Sequence, residues 1–287
     1  GVDSNATDKK GFEQAIAVAK KVDVVVMVLG EYGFQSGEGR SRTQLGLPGF
    51  QQELLEKVAE VNSNIVLVLM NGRPLILNWA SENVPAIVEA WHLGTQSGNA
   101  IAQVLYGEYN PSGKLPMSFP RSVGQLPLYY NHKSTGRPGA DGEDAGSVFW
   151  SHYGDEKNSP LYAFGHGLSY TQFDYSPLVL SSNKMQRGNS LTASVNIKNT
   201  GKFKGKEVVQ LYLQDPYGST TRPIKELKGF QIIELNPGET KKVSFTVDEN
   251  LLKFYNAQQK WVAEKGTFYV FIGTDSTVKE KKAFELD

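Results

Sequence analysis

One stretch of the chain carries groups able to move a proton. Residues 30–42 read Gly-Glu-Tyr-Gly-Phe-Gln-Ser-Gly-Glu-Gly-Arg-Ser-Arg. Glu38 stands between two glycines and is followed by Arg40 and Arg42, an odd choice for a mere connection. A positioned carboxyl acts as a general acid or base, typically contributing ~10²–10⁴-fold in rate. Gly30, Gly33, Gly37 and Gly39 free the backbone for unusual geometry and the close approach of a ligand. The competing reading is a flexible solvated loop with a surface Glu–Arg pair. Most carboxylate chemistry needs a second carboxyl. Glu31 is the nearby companion, and nothing in the sequence shows that it faces the same way.

Other chemistries find no support. His92, His132, His152 and His166 lack metal-ligand spacing, so plain packing is the better reading of each. A chain with Cys 0 has no disulfide framework, zinc-thiolate site, iron–sulfur site or thiol nucleophile. Neither a metal nor a cofactor is expected. Gly37-Glu38-Gly39 lacks the third glycine of a dinucleotide fingerprint, because Arg42 stands there. Gly107 with Gly113-Lys114 is one residue too long for a phosphate loop, and Leu115 replaces the needed Ser or Thr. Residues 94–98 miss the nucleophile elbow by one position. Lys and Arg total 30 and Asp and Glu total 30, so no net field draws in nucleic acid or an anionic membrane. No apolar run approaches the ~18–20 residues that cross a bilayer. The first residues, Gly-Val-Asp-Ser-Asn, carry no signal-peptide pattern and read as if upstream sequence were missing.

The elements that must position Glu38 follow from periodicity. The 287 residues, 39% apolar and 21% charged, suit about two globular domains. Phe12, Ala15, Ile16 and Ala19 mark one face of a helix, with Thr7 and Asp8 as its caps. Residues 22–29 form a β-branched run, apolar on both faces, that reads as a buried parallel strand ending at Gly30. A second helix starts near Pro48 and carries Phe50, Leu54, Val58 and Val61. Strands are expected at 65–70 and 86–91, and a helix at 99–106 closed by Gly107. This is the grammar of an open α/β sheet, in which ligands bind beyond the carboxyl ends of the strands. The 30–42 loop lies there.

After about residue 160 the period changes to two. Leu191, Ala193, Val195 and Ile197 alternate with polar residues, as do Val209, Leu211 and Leu213. The same holds for Val243, Phe245 and Val247, and for Phe268, Val270 and Ile272. Turn signals separate these runs, and about seven short strands imply an antiparallel β-sandwich of immunoglobulin or fibronectin type III kind. The fold class expected is therefore α/β followed by all-β. Residues 1–120 form the α/β domain, 121–159 an irregular connecting segment and 160–287 the sandwich. Trp79, Trp91 and Trp261 are expected in core packing, and Trp150 falls in the irregular segment.

A resemblance sharpens this picture. The motif at 36–42 is followed by Leu47-Pro48 and Gln51, and Val-Leu-Met-Asn-Gly-Arg-Pro occupies 68–74. Gly94 precedes Gly98-Asn99-Ala100-Ile101-Ala102, and 107–120 reads Gly-Glu-Tyr-Asn-Pro-Ser-Gly-Lys-Leu-Pro-Met-Ser-Phe-Pro. Pro160-Leu161-Tyr162 and residues 164–170 follow, then 221–230 and 235–240 in the sandwich. In this order, and essentially end to end, the chain resembles the C-terminal part of a glycoside hydrolase family 3 enzyme of the β-glucosidase and β-xylosidase type. His166 departs from the pattern, a tyrosine being expected there. The larger departure is the absence of the family's N-terminal TIM-like barrel and of the opening strands of the α/β domain.

The resemblance implies a retaining, exo-acting enzyme, most simply a β-glucosidase, with two carboxyl groups about 5 Å apart flanking the bond. It implies that Glu38 is the general acid/base, with Glu31 as runner-up, and that an Asp nucleophile comes from a barrel domain or chain. Tyr32 and Phe34 would line the aglycone side, loop packing being an equal alternative, and Arg42 would contact substrate. An arginine paired with Glu38 would disfavour the protonated acid, so at least one of Arg40 and Arg42 is expected to point elsewhere. The implied partners are a β-linked glycoside and the barrel, with a homodimer left open. The implied location is periplasmic or secreted, and the isolated chain would be inactive. The competing functions are a non-catalytic carbohydrate-binding module and a structural docking module.

Overall fold

The computed structural model describes residues 8–138 and 149–287. These divide into two compact units: the residues up to Tyr106 with Phe119–Pro127, and Gly107–Ser118 with Leu128–Asp287. The segment expected to connect two domains is thus shared between the units. Thr7 lies outside the described residues.

The first unit is a three-stranded parallel sheet with helices. Strands β1 (Val25–Gly30), β2 (Ile65–Met70) and β3 (Ala86–Glu89) lie in the order β1-β2-β3. Val25 pairs with Ile65 and Gly30 with Met70, while Val66 pairs with Ala86 and Leu69 with Glu89. This register brings the carboxyl ends of the three strands side by side. The helices are α1 (Phe12–Ala19), α2 (Gln51–Ala59), α3 (Asn78–Asn83) and α4 (Ser97–Leu105). The core is mainly apolar: Leu55, Ile65, Leu67, Val68, Leu69 and Leu75 are fully buried.

Several expectations shift at the edges of elements. Asp8 does not cap α1, whose N-cap is Gly11 at φ 90; its carboxylate accepts from Lys10 N–H instead. Pro48 precedes α2 rather than opening it, because the chain makes one turn first and Phe50 takes the cap position. The 22–29 run is not covered on both faces. Val26 and Val28 are 49% and 56% exposed, so no described element covers their face of β1. The third strand stops at Glu89, since Trp91 turns to φ 50. Helix α4 ends as expected, Gly107 adopting φ 75 where only glycine is unstrained.

The second unit is a β-sandwich. One sheet contains β10 (Thr240–Asp248), β7 (Ser190–Asn199) and β4 (Phe173–Tyr175), with β5 (Val179–Leu180) also on β7. The other orders β6 (Lys184–Met185), β14 (Lys282–Leu286), β13 (Gly266–Gly273), β8 (Gly205–Gln214) and β9 (Glu226–Leu235). Its pairings are antiparallel except β14 with β6. The alternating residues point inward as their period dictates, and Ala193, Ile197, Val209, Leu211, Leu235, Val270 and Phe284 form its core. The stretch before the sandwich is stitched to it: Asn110 Nδ2 donates to Lys204 O at 2.9 Å, and Lys114 pairs with buried Glu207. His166 stacks on Tyr162, and burial pushes its pKa down. Trp261 is not a core residue. It lies on the β11 (Phe254–Tyr255) and β12 (Trp261–Val262) hairpin, 52% exposed, with its ring on Tyr255.

Candidate active site

The site begins where β1 stops. Gly30 has φ 134, and any side chain there would run into the Met70 carbonyl of β2. Gln51, buried at the start of α2, holds both backbone groups of Gly30: its Oε1 accepts from the N–H at 2.7 Å and its Nε2 donates to the carbonyl at 2.8 Å. Glu31 N–H then donates to Met70 O at 2.7 Å. The loop is therefore launched from a rigid point.

Glu31 turns inward. Its side chain is 0% exposed and accepts from Arg42 Nη1 at 2.8 Å and from Arg73 Nε at 3.2 Å. Gly72 N–H also donates to it, at 3.2 Å. Both guanidinium groups reach on to backbone carbonyls. Arg42 Nη2 donates to Gly46 O at 3.1 Å. Arg73 Nη2 donates to Gln35 O at 2.7 Å and to Arg40 O at 2.8 Å. Arg42, expected to touch substrate, donates to Glu31 and to a loop carbonyl. Arg73 comes from the loop after β2, so its part in this network could not be read from the 30–42 stretch.

Glu38 turns outward. Gly37 and Gly39 adopt φ 118 and 68, and Arg40 N–H closes the turn onto Gly37 O at 3.1 Å. A positive φ at the third residue of a four-residue turn is a conformation that glycine supplies without strain. The turn presents Glu38 as an exposed side chain that makes no ion pair among the described residues. Neither Arg40 nor Arg42 pairs with it. Tyr32 and Phe34 form an edge-to-face pair at 6.0 Å on the same loop, 41% and 73% exposed. They pack on each other and still offer apolar surface on the loop that carries Glu38.

A third carboxyl lies at the end of β3. Glu89 accepts from Trp91 N–H at 2.9 Å and from Asn71 Nδ2 at 3.3 Å. Burial pushes its pKa up to about 7, against the lowering effect of those two hydrogen bonds. Trp91 is held at positive φ, a strained state for an aromatic residue, with its ring against Phe119 at 5.8 Å. Glu89 was missed in the sequence. The available signal was a charged residue inside the apolar run 86–91. Among the described residues, no group of three or more His, Asp or Glu could hold a metal.

Comparison with known proteins places this geometry in a family. Residues 1–170 match the glycosyl hydrolase family 3 C-terminal domain, and residues 207–276 match the fibronectin type III-like domain. A periplasmic β-glucosidase of Salmonella typhimurium is 52% identical over 96% of this chain and 36% of its own length. A β-xylosidase of Formosa agariphila is 42% identical over 100% of this chain and 38% of its own. The crystal structure of a Listeria innocua β-glucosidase in complex with glucose shares the fold at TM-score 0.93 and 39% identity, covering 99% of this chain and 39% of that one. The chain spans little more than a third of the length of these relatives. With its α/β unit, its sandwich and its matched sequence all in agreement, the chain belongs to glycosyl hydrolase family 3, as a C-terminal portion with a fibronectin type III-like domain.

Proposed function

We propose that this chain supplies the proton-transferring half of a retaining β-glycosidase, a β-glucosidase first of all, with Glu38 as general acid/base. The observation that carries the reading is the contrast between the two carboxylates of the 30–42 loop. Glu38 is exposed on a glycine-flanked turn beyond the carboxyl end of β1, without an ion pair among the described residues. Glu31 is fully buried and held by two arginines, which leaves it unable to reach a sugar without dismantling the loop.

An Asp carboxylate on a barrel domain or chain attacks the anomeric carbon. The bond to the leaving oxygen breaks, and the Glu38 proton goes to that oxygen. Water then attacks the glycosyl ester and gives a proton to Glu38, and the ester bond breaks to restore the Asp carboxylate. Tyr32 and Phe34 offer ring surface for the aglycone. Arg42 takes no part in substrate contact in this reading, because its guanidinium is committed to Glu31 and Gly46. The isolated chain lacks the nucleophile and is inactive. The substrate class and a periplasmic or secreted location follow the relatives' names, and the barrel partner follows the family resemblance.

The test is replacement of Glu38 by Gln in the full-length enzyme. Hydrolysis of a β-linked disaccharide should fall ~10²–10⁴-fold, while the first step with an activated aryl glycoside is largely spared. Unchanged disaccharide hydrolysis would exclude Glu38. Sugar binding by the isolated chain would favour a carbohydrate-binding module.

A further inference from the structure

We infer that Glu31 is the positioning residue of the acid/base loop, a fixed anion that aligns the two arginines on which the Glu38 turn is strung. The inference rests on Glu38 being the acid/base and goes beyond it, since it concerns what holds that side chain on target.

The geometry is specific. Nη2 of Arg73 donates to the carbonyls of Gln35 and Arg40, which lie on either side of residues 36–39, at 2.7 and 2.8 Å. Nε of the same guanidinium donates to Glu31 Oε2 at 3.2 Å. A planar fork with one nitrogen fixed by an anion has its other nitrogens aimed. Arg42 repeats the device on the far shoulder, spanning Glu31 at 2.8 Å and Gly46 O at 3.1 Å. Gly72 N–H, from the tip of β2, adds a third donor to the carboxylate at 3.2 Å. Glu31 itself is pinned by its N–H to Met70 O. The strand, the anion, the fork and the turn therefore form one continuous connection from the sheet to Glu38.

The ionised carboxylate matters here, not only its shape. Three donors converge on Glu31 from Arg42, Arg73 and Gly72. A glutamine of the same size would offer one acceptor oxygen and turn an NH2 donor toward guanidinium donors. At least one fork would lose its fixed nitrogen, and the carbonyls it holds would be released. A misplacement of about 1 Å in a catalytic group can cost ~10²-fold in rate.

A positioning role and a merely structural one separate by leaving group. The full-length enzyme would be assayed with a β-linked disaccharide and with a dinitrophenyl β-glucoside, whose leaving group needs no proton. The variants are Glu38→Gln, Glu31→Gln and Arg73→Lys; the last keeps the charge and loses the fork. The expectation is that Glu31→Gln and Arg73→Lys lower kcat on the disaccharide by ~10²-fold, with KM little changed and the aryl glycoside nearly spared in the first step. Loss of both substrates in equal proportion, or loss of neither, overturns the inference. If Glu38→Gln itself retains full disaccharide activity, the acid/base reading has failed first. If Glu38→Gln is crippled while Glu31→Gln and Arg73→Lys are not, only the positioning role falls. Should Glu31→Gln fail to fold, Arg73→Lys decides by the same criterion.

Discussion

Glu31, Glu38 and Glu89 share one side chain chemistry and occupy three different environments at one end of a sheet. The turn at Glu38 follows from its glycine neighbours, while the acid/base role assigned to it follows from the resemblance. The burial of Glu31 does not follow from its neighbours, since Arg73 is brought to it by strand pairing and not by proximity in sequence. Glu89 shows the cost of burying a carboxylate without a cation. Its folded pKa, raised to about 7 from 4.5, means that the folded state binds the proton more tightly than the unfolded chain does. Its contribution to stability is thus fully present at low pH and is lost as pH climbs from about the unfolded value towards the folded one. The swing is on the order of 3 kcal/mol. Hydrogen exchange of the Ile65–Met70 amides, corrected for intrinsic rate, should show protection falling between about pH 5 and pH 7. Glu89→Gln should remove that slope; a slope unchanged in the variant would show that another group is responsible.

At the scale of elements, the loop depends on two glycines where strands end. Gly30→Ala sets a methyl group against the Met70 carbonyl at a positive φ and should cost ~3 kcal/mol or more in a thermal melt. Gly72→Ala is subtler. Its methyl group would collide with the Ser36 side chain, which sits in the Glu38 turn. Disaccharide hydrolysis should fall ~10-fold or more as the turn is displaced, and Ser36→Gly in the same chain should restore most of it. A double variant no better than the single one would show that the collision is relieved elsewhere. Strands β7, β8, β10 and β13 were legible from apolar residues at every second position, and β2 from a short unbroken apolar run. Two features were not. Helix α3, Asn-Trp-Ala-Ser-Glu-Asn, is too short and too polar to show a periodic face. Strand β1 carries valines on a face that nothing described covers, so its composition overstates its burial.

At the scale of the molecule, the chain divides into two compact units, each with its own buried residues. Leu211 is buried wholly within the sandwich core, so Leu211→Ala should cost ~2–5 kcal/mol there. Hydrogen exchange should then rise in β7, β8 and β13 and remain unaltered in β1 and β2. Equal loosening of both units would mean that they unfold as one. The division of labour in function follows the same lines. In the proposed function, Glu38 on the α/β unit is one carboxyl of the retaining pair, and its nucleophilic counterpart is assigned to a barrel domain or chain. The most direct measurement on that assignment is chemical rescue. Full-length enzyme with Glu38→Ala would be supplied with dinitrophenyl β-glucoside and azide. Formation of β-glucosyl azide, with turnover raised by azide, is expected when the glycosyl-enzyme forms and waits for a missing base. Unaltered turnover without azide, and no azide adduct with it, would contradict a role for Glu38 in proton transfer.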